Sequence, residues 1–205
     1  SDNGGISWYP LLEDQEDIYF YSKKLFESPY SKRLYVTTTG AGLFSIDMEK
    51  GALNRVGDFK DENVSSVVFK EASNRQPAEL EIYLGIKEKG VFKSLFGTDN
   101  WEPANDGLTY RDVNVIFRNS GALLAGTING IFRLDEKAEK WIDTSEGIIK
   151  KNIISISATP DGGTIFAGSG AYAVQKGFFQ DIPSLYKSVD NGRTWENAGS
   201  GLPEG

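Results

Sequence analysis

The sequence predicts an all-β chain, a β-propeller of about four four-stranded blades, and three observations lead there. An aliphatic–aromatic–polar triplet recurs four times, each ten residues before a large apolar anchor: Leu43-Phe44-Ser45 before Leu53, Val91-Phe92-Lys93 before Trp101, Ile131-Phe132-Arg133 before Trp141, and Leu185-Tyr186-Lys187 before Trp195. Together with Trp8 the anchors lie 45, 48, 40 and 54 residues apart, the length of a propeller blade. No stretch carries a helical period, while 23 glycines and 12% aromatic residues suit short strands joined by tight turns.

Each repeat reads as four strands, A to D. Asp17-Ile18, Asn63-Val64, Asp112-Val113 and Asn152-Ile153 open the first, whose bodies alternate small and branched residues. The second carries Leu34-Tyr35-Val36-Thr37, Ile82-Tyr83-Leu84-Gly85, Leu123-Leu124-Ala125-Gly126 and Ile165-Phe166-Ala167-Gly168. Gly42, Gly90 and Gly130 then mark a tight turn before three of the triplets, which form the third strand. The segment after each anchor supplies the fourth. The repeats run approximately over 17–59, 63–108, 112–148 and 152–199, within a single domain 1–205. Trp8 stands at the anchor position of an incomplete repeat, which predicts one extra N-terminal outer strand and an arc of a larger propeller, completed by missing blades or by self-association. A β-sandwich is the structural alternative, but it would not require the same landmarks four times in order.

The turn before the last anchor, 188–195, reads S-V-D-N-G-R-T-W, and 1–8 reads S-D-N-G-G-I-S-W. Ser188, Asp190, Gly192 and Trp195 correspond to Ser1, Asn3, Gly5 and Trp8. Ser and Asp side chains bond to nearby backbone N–H groups, Gly accepts a positive φ, and Trp buries its ring beneath the turn. This pattern resembles the Asp-box of the bacterial neuraminidase repeat (BNR) propellers. That family includes sialidases, xyloglucan-active glycoside hydrolases, sortilin-type receptors and assembly factors of photosynthetic complexes. The resemblance implies that the box occupies the C–D turn, that ligands bind at the opposite end of the blades, and that the compartment is extracellular or periplasmic. The middle repeats replace the Gly-x-Thr portion with Thr98-Asp99-Asn100 and Ala138-Glu139-Lys140 while keeping the spacing. A turn motif tolerates such erosion where neighbours compensate, so the boxes are read as structural.

Composition removes several functions. The chain has 205 residues and a formal net charge of −7, against a nucleic-acid partner or an anionic membrane surface. It has no Cys and no His, so disulfides, thiol nucleophiles, His ligands and Ser-His-Asp triads are absent. No metal centre or cofactor is expected. No apolar run approaches the roughly 18 residues of a membrane span.

Candidate sites lie where the repeat is broken, because one binding site does not share the symmetry of the repeats. The largest departure is 170–184, an insertion between strands B and C carrying Tyr172, Phe178, Phe179 and Asp181. A smaller one is Tyr110-Arg111, before Asp112. These predict a non-catalytic scaffold for a protein or carbohydrate ligand. The alternative is part of a glycoside hydrolase, sialidase- or xyloglucanase-like, using Asp17 and Asp112 as paired carboxylates. Sialidase chemistry is disfavoured, because Asp181-Ile182-Pro183 lacks the Arg of the sialidase Arg-Ile-Pro motif and no arginine triad is evident.

Overall fold

A computed structural model of the chain describes residues 4–7, 21–71, 80–149, 151–170 and 184–199. These residues form four separate four-stranded antiparallel sheets with no helix among them. Each is a meander in chain order, as a propeller blade requires. The first blade is β1 (Tyr21–Glu27), β2 (Arg33–Thr39), β3 (Leu43–Asp47) and β4 (Ala52–Val56). The second is β5 (Val64–Glu71), β6 (Leu80–Ile86), β7 (Gly90–Leu95) and β8 (Glu102–Pro103). The third is β9 (Val113–Asn119), β10 (Ala122–Thr127), β11 (Gly130–Asp135) and β12 (Lys140–Asp143). The fourth is β13 (Ile153–Ala158), β14 (Ile165–Ser169), β15 (Leu185–Ser188) and β16 (Glu196–Asn197). The predicted extra N-terminal strand falls outside the described residues. The chain divides into two compact units, Ser1–Asn63 and Val64–Gly205, so the first blade is considered apart from the other three.

In the larger unit the period-2 alternation of each strand sends side chains to two different neighbours. Ile116, Leu123, Ala125, Phe132, Leu134 and Trp141 of the third blade pack with Tyr83 and Val91 of the second. The intervening Val115, Leu124 and Ile131 pack with Ile156, Ile165, Ala167, Tyr186 and Trp195 of the fourth. The third blade thus has a leading face toward its predecessor and a trailing face toward its successor. The recurrent aromatic of the triplet lies on the leading face, where Phe132 is 1% and Tyr186 0% exposed.

The innermost pair of every blade carries a β-bulge. The register skips Lys23, Ser65, Asn114 and Ile154. The bulge corrects the repeat boundary. Val64, Val113 and Ile153 are equivalent by register, each one residue before the skipped position, and the corresponding residue of the first blade is Ser22. Tyr21 therefore stands where Asn63, Asp112 and Asn152 stand. Asp17, expected there, is four positions out of step and lies outside the described residues. The sequence alignment was misled because the apolar start Asp17-Ile18 resembles the other openings, whereas pairing is set by the bulge.

The glycine that closes the second-strand motif follows from blade packing. A Cβ on Gly126 would approach Ile153 and Val115 side-chain carbons at 2.7 Å, and one on Gly85 would meet Val113 at 2.9 Å. The first residue of each following blade lies over that site, so only a hydrogen fits. Gly126→Ala is expected to lower the stability of the larger unit by about 1–3 kcal/mol through overpacking, read as a denaturant midpoint shift at unchanged slope. The anchors should differ in the same assay. Trp141, 2% exposed, should cost about 3–5 kcal/mol when replaced by Ala, and the half-buried Trp101 clearly less.

Candidate functional site

The meander puts the A–B and C–D turns of a blade at one end and the B–C and D–A connections at the other. The 188–195 segment is the C–D turn of the fourth blade. Ser188 Oγ accepts from Gly192 N at 2.9 Å and donates to Asp190 Oδ1 at 2.8 Å. The same Oδ1 accepts from Arg193 N at 3.0 Å and Thr194 N at 2.9 Å, while Thr194 Oγ1 donates to Oδ2 at 2.6 Å. Asn191 and Gly192 take φ of 60° and 80°. Partial burial would raise the Asp190 pKa, but the Thr194, Ser188 and Arg193 donors outweigh it and hold the carboxyl at about 2.

The turn also faces sideways. Asn119 Nδ2 donates to Asn191 Oδ1 at 3.2 Å and to Gly162 O at 2.9 Å, and Arg133 Nε donates to Asn191 O at 3.3 Å. The turn is thereby clamped to the third blade. Arg133 occupies the polar position of the triplet, and its counterpart Lys93 reaches Glu139 of the next C–D turn at 3.6 Å. Lys70, 6% exposed, sits 3.4 Å from Glu136 of that turn and 3.7 Å from Glu81. Glu81 also accepts from the Tyr83 hydroxyl at 2.9 Å. Burial, then the Glu81 charge, pushes the Tyr83 pKa up, so the phenol stays a proton donor.

The N-terminal copy of the box is described only at 4–7. Gly4 and Gly5 take φ of 69° and 89°, matching Asn191 and Gly192; Ser1, Asn3 and Trp8 lie outside the described residues. The first and third blades solve the same turn differently. Asp47 Oδ1 accepts from Glu49 N and Lys50 N at 3.0 and 3.1 Å, and Asp135 Oδ1 from Lys137 N and Ala138 N at 3.0 and 3.3 Å. The carboxylate has moved one position toward the strand, a substitution visible in the sequence but masked by aligning on Asp190. In the second blade Ser94 and Thr98 hydroxyls meet at 3.1 Å.

A second recurrent motif went unread. Four residues after each of two anchors come Asn105-Asp106-Gly107-Leu108 and Ser145-Glu146-Gly147-Ile148. These D–A connections cross to the next blade and cap its anchor. Asp106 O accepts from Trp141 N at 2.8 Å and Glu146 O from Trp195 N at 3.3 Å. Leu108 and Ile148 join the two interblade cores. Gly107 and Gly147 have φ of 75° and 86°, and a Cβ on either would collide with the anchor carbonyl. The Trp141 indole donates to Ala104 O at 2.7 Å. Asn105 Oδ1 and Ser145 Oγ accept from Val91 N and Ile131 N at 2.8 and 3.0 Å, closing the start of each third strand.

The connections end at the predicted ligand face. Tyr110 is 43% exposed, its ring 6.4 Å from that of Phe132, and Arg111 is exposed. Asp112 follows, with Oδ1 3.7 Å from Lys87 Nζ. Asn152 forms a cross-link between blades. Asn152 Oδ1 accepts from Asn114 Nδ2 at 3.1 Å, and its own Nδ2 donates to Gly170 O at 3.2 Å. Asn114 is the bulge residue of its blade, so the bulge aims its amide at the next one. Of the insertion, Gly170 and Ser184 are described; Tyr172, Phe178, Phe179 and Asp181 lie outside the described residues. Among the described residues no cluster of acidic side chains could hold a metal ion, and no helix is long and apolar enough to cross a membrane.

No family model matches the chain, and no curated protein matches it. Solved structures do. The extracellular domain of BT3049, assigned to a hybrid two component system of B. thetaiotaomicron, matches 83% of this chain and 22% of its own at 12% identity and TM-score 0.61. The GH74 xyloglucanase from Xanthomonas campestris matches 85% of this chain and 29% of its own at 15% identity and TM-score 0.56. The β-propeller domain of Myceliophteria thermophila Cps50 matches 86% of this chain and 58% of its own at 13% identity and TM-score 0.56. The chain spans less than a third of the first two. At these identities the likeness defines the class by fold alone: an all-β protein of propeller blades, with neighbours among extracellular domains and GH74 enzymes.

Because Asp190 has a lowered pKa in the folded state, its contribution to stability is complete above the ordinary carboxylate range and is lost as pH falls from about 4 through about 2. Acid titration of the melting temperature should show this loss, and Asp190→Asn should flatten it. Asp190→Ala should cost about 1–2 kcal/mol near neutral pH.

Proposed function

We propose that the chain is a BNR/Asp-box propeller that acts as a non-catalytic scaffold, binding a protein or a glycan at the B–C/D–A end of its blades. The carrying observation is a division of labour between the two ends. At the C–D end the Asp190 carboxylate and the Asn191 amide are engaged within the turn and with the neighbouring blade, which leaves them structural. At the other end the connections carry exposed Tyr110 and Arg111, with Ile149 at 78% exposure, and the 170–184 insertion departs there. Tyr and Arg are among the residues enriched at recognition hot spots, and a long loop on a rigid scaffold is where binding function concentrates. An extracellular or periplasmic setting accords with this reading and with the extracellular domains among the fold neighbours.

The glycoside hydrolase reading finds no comparable support. It requires two carboxylates roughly 5 to 10 Å apart, and the positions equivalent to Asp112 in the second and fourth blades are Asn63 and Asn152. Asp112 itself faces Lys87.

The test is a glycan array and a binding-partner pull-down run on wild type, Tyr110→Ala/Arg111→Ala and Asp190→Ala. The double variant is expected to weaken binding by about tenfold or more at an unchanged melting temperature. Asp190→Ala should lower the melting temperature and leave binding intact. Binding that survives both the double variant and replacement of 170–184 by a short turn would rule the reading out.

A further inference from the structure

The two connections of the larger unit each set a cation just before the polar residue that opens the next blade. Arg111 precedes Asp112 and Lys151 precedes Asn152, whereas Glu62 precedes Asn63. Backbone bonds place these cations on either side of one turn. Ile128 N donates to Asp112 O at 3.1 Å and Gly130 N donates to Lys151 O at 2.7 Å, so Arg111 and Lys151 flank Asn129. Both cations are exposed, and among the described residues neither is in an ion pair or a side-chain hydrogen bond. The half-buried Asn129 uses its backbone N–H, which donates to Thr127 Oγ1 at 3.1 Å, and leaves its side-chain amide unengaged. Tyr110 completes the group, its ring set against buried Phe132 and 43% exposed.

A chain of net charge −7 thus holds unpaired positive charge at the B–C/D–A end of its blades. The acidic groups of that end are already answered or lie apart. Asp112 Oδ1 stands 3.7 Å from Lys87 Nζ, and Asp143 Oδ1 accepts from Ser145 N at 2.8 Å. Glu88 lies between Lys87 and Lys89 in its turn. Asp106 and Glu146 sit out against Trp141 and Trp195, whose N–H groups their carbonyls receive.

We infer that this end binds a carboxylated carbohydrate, a chain containing uronic acid units. Arg111 and Lys151 meet carboxylates, Asn129 a hydroxyl, and Tyr110 the C–H face of a pyranose ring. The inference rests on this end being the binding face, and adds to that reading the class of ligand and the residues Asn129 and Lys151. A guanidinium matches a carboxylate with two parallel bonds, and an ammonium serves as a point charge beside it. An amide both donates and accepts, as a sugar hydroxyl requires. A tyrosine ring offers an apolar body with a polar tip. An acidic peptide is the poorer fit, because the end is built of turns, where an extended peptide finds no strand edge to lengthen.

Isothermal titration of the 205-residue chain tests it. The probes are oligogalacturonate, hyaluronan oligosaccharides and oligomannuronate, each beside its carboxyl-reduced neutral form, and polyglutamate. At least one acidic oligosaccharide is expected to bind about tenfold or more tightly than its reduced form, and to weaken as salt rises. Arg111→Gln and Lys151→Gln should each narrow that ratio at an unchanged melting temperature, since both side chains are exposed. Equal affinity for acidic and reduced forms would overturn the inference and leave the ligand face standing. An acidic preference that both variants retain would overturn it as well. Failure of every uronate to bind overturns it in any case, and binding of polyglutamate alone would turn the reading to an acidic protein. Whether a captured partner is lost in Tyr110→Ala/Arg111→Ala decides the proposed function separately.

Discussion

Within the larger unit the architecture depends on one repeated hydrogen bond, from the backbone N–H of an anchor tryptophan to a carbonyl of the connection that arrives from the blade before it. The bond draws the connection down over the indole. That positions Leu108 or Ile148 in the interblade core and brings Asn105 or Ser145 to the start of the third strand. A glycine is obligatory in the connection because the anchor carbonyl occupies the place of its side chain. A single contact therefore couples the outermost strand of one blade to the entry of the next. Interblade burial of apolar side chains supplies most of the driving force; this bond decides which surfaces meet.

Much of the fold was legible because the repeats share landmarks. The triplet, the second-strand motif and the anchor spacing located twelve of the sixteen strands, β2 to β4 and their counterparts, since alternation and turn glycines are local properties. The first strand of the first blade was misplaced, because its register depends on a bulge at Lys23 that no local pattern announces. Of the candidate site, Tyr110 and Arg111 lie exposed on the connection between the second and third blades. The sequence did not foresee that Asn152 would be held by Asn114, a bond between residues of different blades. The Asn/Ser–Asp/Glu–Gly–Leu/Ile connection is readable at a fixed offset from the anchors, but the segment after each anchor reads as the fourth strand, which hides it.

The four C–D turns illustrate how a motif erodes. Each must satisfy the donors of a tight turn, and the third and fourth also present a surface to the preceding blade. The fourth does so with Asp190 and Asn191, and the third with Asp135 for the turn and Glu136 and Glu139 for the neighbour. The acceptor changes in step with the donor opposite: Arg133 meets a carbonyl, Lys93 a carboxylate. Identity at any single box position is thus less informative than the pairing across blades.

The way the 188–195 turn is held also bears on how the molecule ages. Asn-Gly is the dipeptide most prone to spontaneous deamidation, because an unhindered glycine nitrogen can attack the asparagine side-chain carbonyl and close a succinimide. Here the Gly192 nitrogen is committed to Ser188 Oγ, and Asn191 is gripped at its oxygen by Asn119 and at its nitrogen by Ser120 O. The ring-closing trajectory requires both grips to open at once. The bonds that fasten two blades together also shield this Asn-Gly link of the covalent backbone.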